Sequence, residues 1–524
     1  MLGTATAQTE LLDAEATCGH LVAEDSIHRK LAEVGEALFT DADFADLYDP
    51  SRGRHSVPPS LLAKVLLLQS LEGTSDRETT DRVRRDIGWK VALRLPLQDE
   101  GFHPTVLCYF RERLRRSERP RRIFDRFKEV ATEAGLLTKR GTRVLDSTPV
   151  LSAVQTQDTV SLIRGAVRRL LALLAKSDSR AKAAVEAALS RDDYADLGKP
   201  PIDWDDAEAR EELVDELVRD ATAGLSVLEG AELSAPLAEA AELLATVAGQ
   251  DVEQADDGRF RIRRGVARGR VISTIDPEAR HGRKSVHGHF DGYKAHVAVE
   301  PTTEIITEVE VTPANFSDAE PVRDLLPELE DDATEEEPLQ VVGDTAYGTG
   351  PTRRMMADAG AELVAKAPPE TNPRGGFSKD AFVIDAEEGS ATCPAGITTT
   401  RVVHKKTGDT EFRFSAEICA GCSLRPSCTS SRHGRRVTIS PHEGLLAEAR
   451  ARQRTPEFKA TYNGKRPTVE RVISRLVRKG GRKARYRGRH KVAAQLTLKA
   501  AGENFLRMLR LGLNRTPEGG WVTA

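Results

Sequence analysis

"VVGDTAYGTG", residues 341–350, is a short apolar run that ends on a single aspartate, with a tyrosine and glycines directly behind it. Aspartate at such a place is commonest as a helix N-cap or a turn residue. A second stretch repeats the pattern: "GTRVLDSTPV", residues 141–150, reads as a strand whose run "RVL" ends on Asp146. If the two strands are neighbours, Asp146 and Asp344 emerge at one edge of a sheet.

The sequence between and around them supplies the rest of an α/β unit. "GHFDGYKAHVAVEPTTEIITEVEVTPAN", residues 288–315, alternates with a period of two and reads as two strands joined at "PTTE". "TRRMMADAGAELVAK", residues 352–366, reads as a helix and then a strand. Residues 20–138 look helical, with "SLLAKVLLLQSLEG", "TSDRETTDRVRRDIGWKVAL" and "HPTVLCYFRERLRRSERPRR" as three amphipathic helices. Residues 156–260 are rich in alanine, leucine and glutamate, as in "VSLIRGAVRRLLALLAKS", and read as a helical insertion. Residues 370–440 form a cysteine-bearing insertion, and basic helices run from about 442 to 512. The expected fold class is α/β: a helical N-terminal domain over 20–138 and a mixed-sheet domain over 139–512, flanked by a flexible N-terminus (1–19) and a tail (513–524).

Composition bounds the class. The chain has 524 residues, 39% hydrophobic and 30% charged, and no apolar run approaches the roughly 18 residues that a membrane span needs. A soluble protein is expected, with no membrane partner. The first twenty residues carry acids and lack a basic-then-apolar pattern, so no secretory signal is expected and the cytoplasm is the default. The net charge of −4 conceals an asymmetry, because residues 192–257 are acidic while "RLVRKGGRKARYRGRHK", residues 475–491, contains no acid. A run of this kind neutralises phosphates and releases counterions, which points to nucleic acid; the bland alternative is a solvated helix face.

A third acid, Glu470, lies in "KRPTVERVISRLVRK", where Pro467 suits a first turn and Val469, Val472, Ile473 and Leu476 trace an apolar stripe. Glu470 projecting toward Asp146 and Asp344 makes three carboxylates without arginine partners. Such a cluster repels itself unless cations sit within it, and hard oxygen donors suit Mg2+ or Mn2+, with two ions able to serve phosphoryl transfer. Asp318 is a rival acid, read as the N-cap of a helix that begins near Ala319. His287, His289 and His296 alternate along the hairpin, which fits one-sided solvent exposure better than a metal face.

"RVLDSTPV", "FDGYKAHVAVE", "VTPANFSDAEP", "VVGDTAYGTG" and "RPTVERVISRLVRKGGRKARYRGRHKVAAQLTLKAAGENFLRML" resemble, in this order, the DDE transposases of bacterial insertion sequences with an InsH-like N-terminal domain. The resemblance covers residues from about 20 to 512. It implies an RNase H-like catalytic core, Asp146, Asp344 and Glu470 as catalytic metal ligands, and a tyrosine, an arginine and a distal basic residue around the glutamate. Arg466 sits at the expected arginine, while Tyr462 and Arg478 are each displaced by one. The implied activity is metal-dependent cleavage at the element's terminal inverted repeats and transfer of the 3′ hydroxyl into target DNA, by a homodimer on double-stranded DNA at the nucleoid. Arg466, Arg471, Arg478, Lys479, Arg482, Lys483, Arg485 and Arg487 are the expected DNA contacts. Alternatives are a catalytically silent, domesticated DNA-binding protein and a metal-dependent nuclease without strand transfer.

Cys393, Cys419, Cys422 and Cys428 form a separate group. "CAGCSLRPSC" gives three thiols at close spacing and "CPAG" a fourth, a pattern that fits a tetrahedral structural Zn2+. The alternative is four free thiols in a loop, with His433 a substitute ligand.

Overall fold

The computed structural model describes residues 1–4, 12–284, 288–330, 339–370, 376–385 and 388–523; His287 lies outside them. Its centre is a mixed sheet of six strands, β1 (Thr142–Leu151), β2 (Arg280–Arg283), β3 (His289–Val299), β4 (Ile306–Pro313), β5 (Gln340–Gly343) and β6 (Glu362–Ala365). The path runs β4-β3-β1-β5-β6, with β2 paired to the first residues of β3. β3 is antiparallel to both β1 and β4, whereas β5 and β6 run parallel to β1. The chain is thus α/β with a mixed sheet, and β3 and β4 are the hairpin that the period of two predicts.

The two faces of the sheet bury different sets. Val144, Val297, Val299 and Val342 face one core, whereas Leu145, Ala298 and Val341 face another with Tyr347 and Met356. Over the first face lie two long helices, Pro456–Leu476 and Arg489–Arg510, which bury Val469, Val472, Leu496 and Phe505. Asn504, 0% exposed, anchors the second: its Oδ1 accepts from Ile306 N and its Nδ2 donates to Ile306 O, both at 2.8 Å. A buried amide that meets both backbone groups of one strand residue fixes helix against sheet without an unpaired polar atom.

The N-terminal helices include Ile27–Leu38, Pro59–Glu72, Thr105–Arg116 and Arg122–Glu133, and they share the first core. The stretch 74–93 is two helices, Asp76–Arg85 and Ile87–Leu93, because Asp86 ends one and caps the next through Trp89 N at 3.2 Å. The helical insertion holds four helices within 159–250 and a short hairpin, Val252–Gln254 with Phe260–Ile262, around its own core. The cysteine-bearing region folds as two small three-stranded sheets.

Several expectations are corrected. Pro467 lies inside the helix Pro456–Leu476, which begins at Pro456 behind the cap Thr455; tertiary packing carries the helix past a proline that lacks a backbone donor. Near the C-terminus, Leu513–Arg515 pairs with Trp521–Thr523 and Trp521 is buried in the first core. At the other end, residues 14–18 are helical and Asp13 bridges to Pro96. His296 is fully buried, with Nε2 2.8 Å from Thr312 Oγ1, while His289 is exposed, so solvent exposure does not explain their alternation. Among the described residues no helix is long and apolar enough to cross a membrane.

Candidate active site

The register of the parallel strands brings Asp146 and Asp344 together. Val144 pairs with Val342; Asp146 lies two residues further along β1 on the face of Val144, and Asp344 lies just beyond the end of β5, close enough for its charge to act on Asp146. Asp146 does not close its strand, as the sequence suggests; it is the fifth residue of β1, which continues to Leu151 in its pairing with β3. What ends there is β5, at Gly343, so Asp146 borders the gap that β5 leaves.

The local chemistry of 343–348 explains its composition. The ring of Tyr347 closes over Gly343, where a Cβ would fall 2.9 Å from the Tyr347 Cβ. Asp344 Oδ1 accepts from Ala346 N at 2.9 Å and Asp344 O accepts from Tyr347 N at 3.2 Å, an Asx turn that reverses the chain. At Gly348 a Cβ would lie 2.0 Å from Lys366 O, so only glycine permits that approach. Asp344 is therefore a turn residue and a member of the cluster at once.

Glu470 joins through Arg466, one turn earlier on the same helix. Arg466 Nη2 is 3.0 Å from Asp146 Oδ2, and Nη1 is 3.6 Å from Glu470 Oε1, near enough for attraction but too long for a hydrogen bond. The acids are thus not free of arginine. Arg466, expected as a DNA contact, is only 8% exposed and is engaged with the carboxylates. Glu470 is 62% exposed along its side chain and Asp146 18%. Burial raises the Asp146 carboxyl above the usual carboxylate range; Arg466 and the Ser147 N–H oppose this, and the charge of Asp344 adds to it. Burial disfavours the Arg466 cation, but Asp146, Asp344 and Glu470 outweigh it and hold the guanidinium protonated. Tyr462, although displaced in sequence, lies close enough for the Arg466 charge to act on its phenol, and its ring stacks on Phe458 at 5.7 Å between centroids.

Asp318 is not a helix cap: the nearest helix starts at Val322 behind Pro321, and Asp318 Oδ1 takes Lys294 Nζ at 2.8 Å. Among the described residues no group of three or more His, Cys, Asp or Glu is arranged to hold a metal ion. In the triad, Arg466 stands between two of the acids. The four cysteines also lie near one another: burial pushes the Cys428 thiol up, Arg435 opposes, and Cys419, Cys393 and Cys422 push it further. All four line one small cavity beneath Phe414 and none is in a disulfide. His433 is exposed.

The expected DNA contacts divide in two. Arg471 is bound to Glu304 at 2.8 Å and Lys479 to Glu503 at 2.8 Å, so distant acids neutralise part of the basic run. Arg482, Lys483, Arg485 and Arg487 are exposed on a loop strapped to the end of β1, where Leu151 N donates to Arg482 O at 2.8 Å and Ala484 N to Leu151 O at 2.9 Å. Arg478 is exposed on the turn before this loop. Arg485 Nη1 reaches Thr74 O at 3.0 Å, linking the loop to the N-terminal helices. The loop thus meets β1 at Leu151, five residues beyond Asp146 along the strand.

Sequence reasoning missed Tyr347 as a member of this neighbourhood and missed the pairing of Arg466 with Asp146. The signal for the first lay in the glycine four residues before the tyrosine.

Residues 392–509 match the family described as transposase DDE domain, and residues 17–113 match the family described as transposase domain (DUF772). The first match spans Arg466, Glu470 and the four clustered cysteines; the second spans the N-terminal helices as far as residue 113 and leaves out Arg122–Glu133. No curated protein and no solved structure matches the chain. The two matches, one at each end of the chain, support a DDE transposase of the insertion-sequence type.

Proposed function

We propose that the protein cuts DNA at the terminal inverted repeats of its own insertion sequence and joins the freed 3′ hydroxyl to target DNA. The observation that carries this reading is that Asp344 stands at the end of β5 beside Asp146 on the neighbouring parallel strand β1, with Glu470 linked to Asp146 through Arg466. An RNase H-like core is supported by the strand order β4-β3-β1-β5-β6, in which three antiparallel strands are extended by two parallel ones.

The donors fit hard divalent cations, since all three are carboxylates and no soft ligand adjoins them. Asp146, Asp344 and Glu470 would hold two Mg2+ or Mn2+ ions, which when bound activate an attacking oxygen and offset charge on the phosphate. Glu470 has to turn in from solvent to take part, and Arg466 has to release Asp146. Until then Arg466 compensates the clustered negative charge. The Asx turn fixes the backbone beneath Asp344, so one carboxylate is oriented before DNA arrives. The loop 482–487 and the N-terminal helices bind the DNA backbone. Bringing two element ends together calls for a homodimer on DNA, working at the nucleoid. Cys393, Cys419, Cys422 and Cys428 hold a structural Zn2+ in this reading.

The test uses a labelled duplex carrying the inverted repeat from beside the gene, with Mg2+. Nicking at the repeat end followed by joining of a precut end to a second duplex is the expected result. Nicking without joining makes the protein a nuclease, and binding without nicking makes it a silent DNA-binding protein.

A further inference from the structure

A cavity of about 480 Å3 lies where the N-terminal helices meet β4, the loop 482–487 and the helix Arg489–Arg510. Small organic ligands are usually held in pockets of about 300–1,000 Å3. Part of the wall is apolar, with Leu66, Leu114, Val309, Val311 and Leu498, and the rest carries an excess of cations. Its two acids are already paired: Glu112 with Arg115 and Arg116, and Glu310 with Arg121 at 3.3 Å. Arg111 and Arg489 reach Asp76 and Glu278 outside the cavity. Arg485, Lys491 and Lys499 have no acid at ion-pair distance among the described residues.

Lys499 is the sharpest case. It is 7% exposed, and its Nζ donates to the carbonyl oxygens of Lys479 and, at 3.4 Å, of Ser70, another residue of the cavity wall. Burial, then the charges of Arg485 and Lys479, bring its pKa down from 10.5 to about 8. Capping the Lys479 carbonyl accounts for a donor at this place, but not for a buried cation set among cations, which is costly without a counter-charge. An anion in the cavity supplies that charge. Three unmatched cations call for more than a single carboxylate, and the apolar wall calls for an organic body. Tyr486, half-buried in the same wall with the Arg111 guanidinium 5.8 Å from its ring centroid, adds an aromatic surface. A phosphate ester of an aromatic base meets all three demands.

We propose that this cavity binds one nucleotide, with its phosphate on Arg485, Lys491 and Lys499 and its base on Tyr486 and the apolar wall. The nucleotide is either free or the unpaired last unit of a DNA strand, since the chemistry recognised is the same. The site shares no residue with Asp146, Asp344 and Glu470 and does not depend on their holding a cation. Filling it ties the N-terminal helices to the loop 482–487 and to the helix Arg489–Arg510.

The experiment is calorimetric titration of the full-length protein, without added divalent cation, using dAMP, deoxyadenosine and inorganic phosphate as probes. dAMP is expected to bind roughly tenfold or more tighter than either of its parts. Lys499→Met and Tyr486→Leu should each weaken it by roughly tenfold, Ala494→Phe should fill the cavity and abolish binding, and Asp344→Asn should leave it unchanged. Should Lys499→Met fail to fold, Lys491→Ala, at an exposed position, takes its place. Absence of dAMP binding overturns the inference, as does deoxyadenosine or phosphate binding as tightly as dAMP, or binding that survives Ala494→Phe. Loss of dAMP binding in Asp344→Asn overturns it too, because the nucleotide then sits at the carboxylates. Failure of DNA cleavage in wild type leaves these readings untouched. Duplexes ending blunt or in one unpaired nucleotide then compete with dAMP: stronger displacement by the unpaired end assigns the site to a strand end, and equal displacement, or none, assigns it to a free nucleotide.

Discussion

Arg466 Nη2 lies 3.0 Å from Asp146 Oδ2, inside a cluster whose other charges are carboxylates. Arg466→Gln removes the cation and leaves half-buried acids to repel one another. Metal-free stability should fall by roughly 1–3 kcal/mol, the scale of a buried charged group left unpaired. Thermal unfolding with and without Mg2+ checks this. Added Mg2+ should recover more stability in the variant than in wild type, because the ion replaces the missing charge.

The exposed loop and the neutralised cations of the basic run should behave differently. Converting Arg482, Lys483, Arg485 and Arg487 to alanine is expected to weaken binding to all DNA sequences and to flatten the plot of log affinity against log salt by roughly 3 to 4. Arg471→Ala should leave that slope unchanged and lower stability, since its guanidinium holds Glu304, a non-glycine residue at a φ of 60°. Salt titrations of both variants separate the two roles; equal slopes would show that the loop points away from DNA.

This division also shows what could be read from the chain and what could not. The strands around Asp146 and Asp344, the hairpin after Gly288 and the helix that carries Glu470 follow from local periodicity, which is fixed by neighbours in sequence. The partners of the basic run do not: Glu304 meets Arg471 and Arg475 from far upstream, and Glu503 meets Lys479 from the next helix. Arg466 was visible as a residue, but its engagement with Asp146 depends on a helix crossing the sheet. Asp318 was misread because Asp-Ala-Glu looks like a helix start, whereas Lys294 on β3 claims its carboxylate. The strand through Asp146 runs on because β3 continues to pair with it after β5 has ended.

The cysteine cluster predicts metal content. Purified protein should carry about one zinc per chain, and Cys419→Ser with Cys422→Ser should lose it and melt at a lower temperature. A chelator should reproduce the loss in wild type and leave the double variant unaffected. Metal analysis beside calorimetry checks both, and zinc-free wild type of full stability would leave the four as free thiols.

His296 predicts a pH dependence. Burial lowers its pKa from 6.5 to about 4, with Asp318 opposing and Lys294 assisting. The unfolded chain therefore takes up a proton that the folded chain refuses, so this contribution to stability is complete above pH 6.5 and is lost as the pH falls toward about 4. Denaturant titrations across that window should show stability falling with acid. Replacement by asparagine, which keeps a polar atom for Thr312, should remove one proton from the uptake; an unchanged pH slope would place the titration elsewhere.

Asp344 offers the sharpest separation of fold from chemistry, because one side chain serves both. Its Oδ1 holds the turn through Ala346 N. Asparagine keeps that acceptor and nearly the same shape, so Asp344→Asn should fold and bind repeat ends as wild type does while nicking collapses. Asp344→Ala loses the turn as well, and should be less stable by about 0.5–2 kcal/mol, the range for removing a side-chain cap of this kind. Asp146→Asn and Glu470→Gln should match Asp344→Asn in activity, and double variants should be little worse than singles, as expected of groups that act as a unit. Manganese should rescue a single variant in part, since magnesium demands a near-ideal octahedron. Nicking of a labelled repeat end, with binding followed by gel shift and stability by melting, reads all three properties on the same preparations. Should Asp344→Asn nick at the wild-type rate while Asp344→Ala merely loses stability, the aspartate belongs to the turn alone and the cation site has to be sought around Asp318.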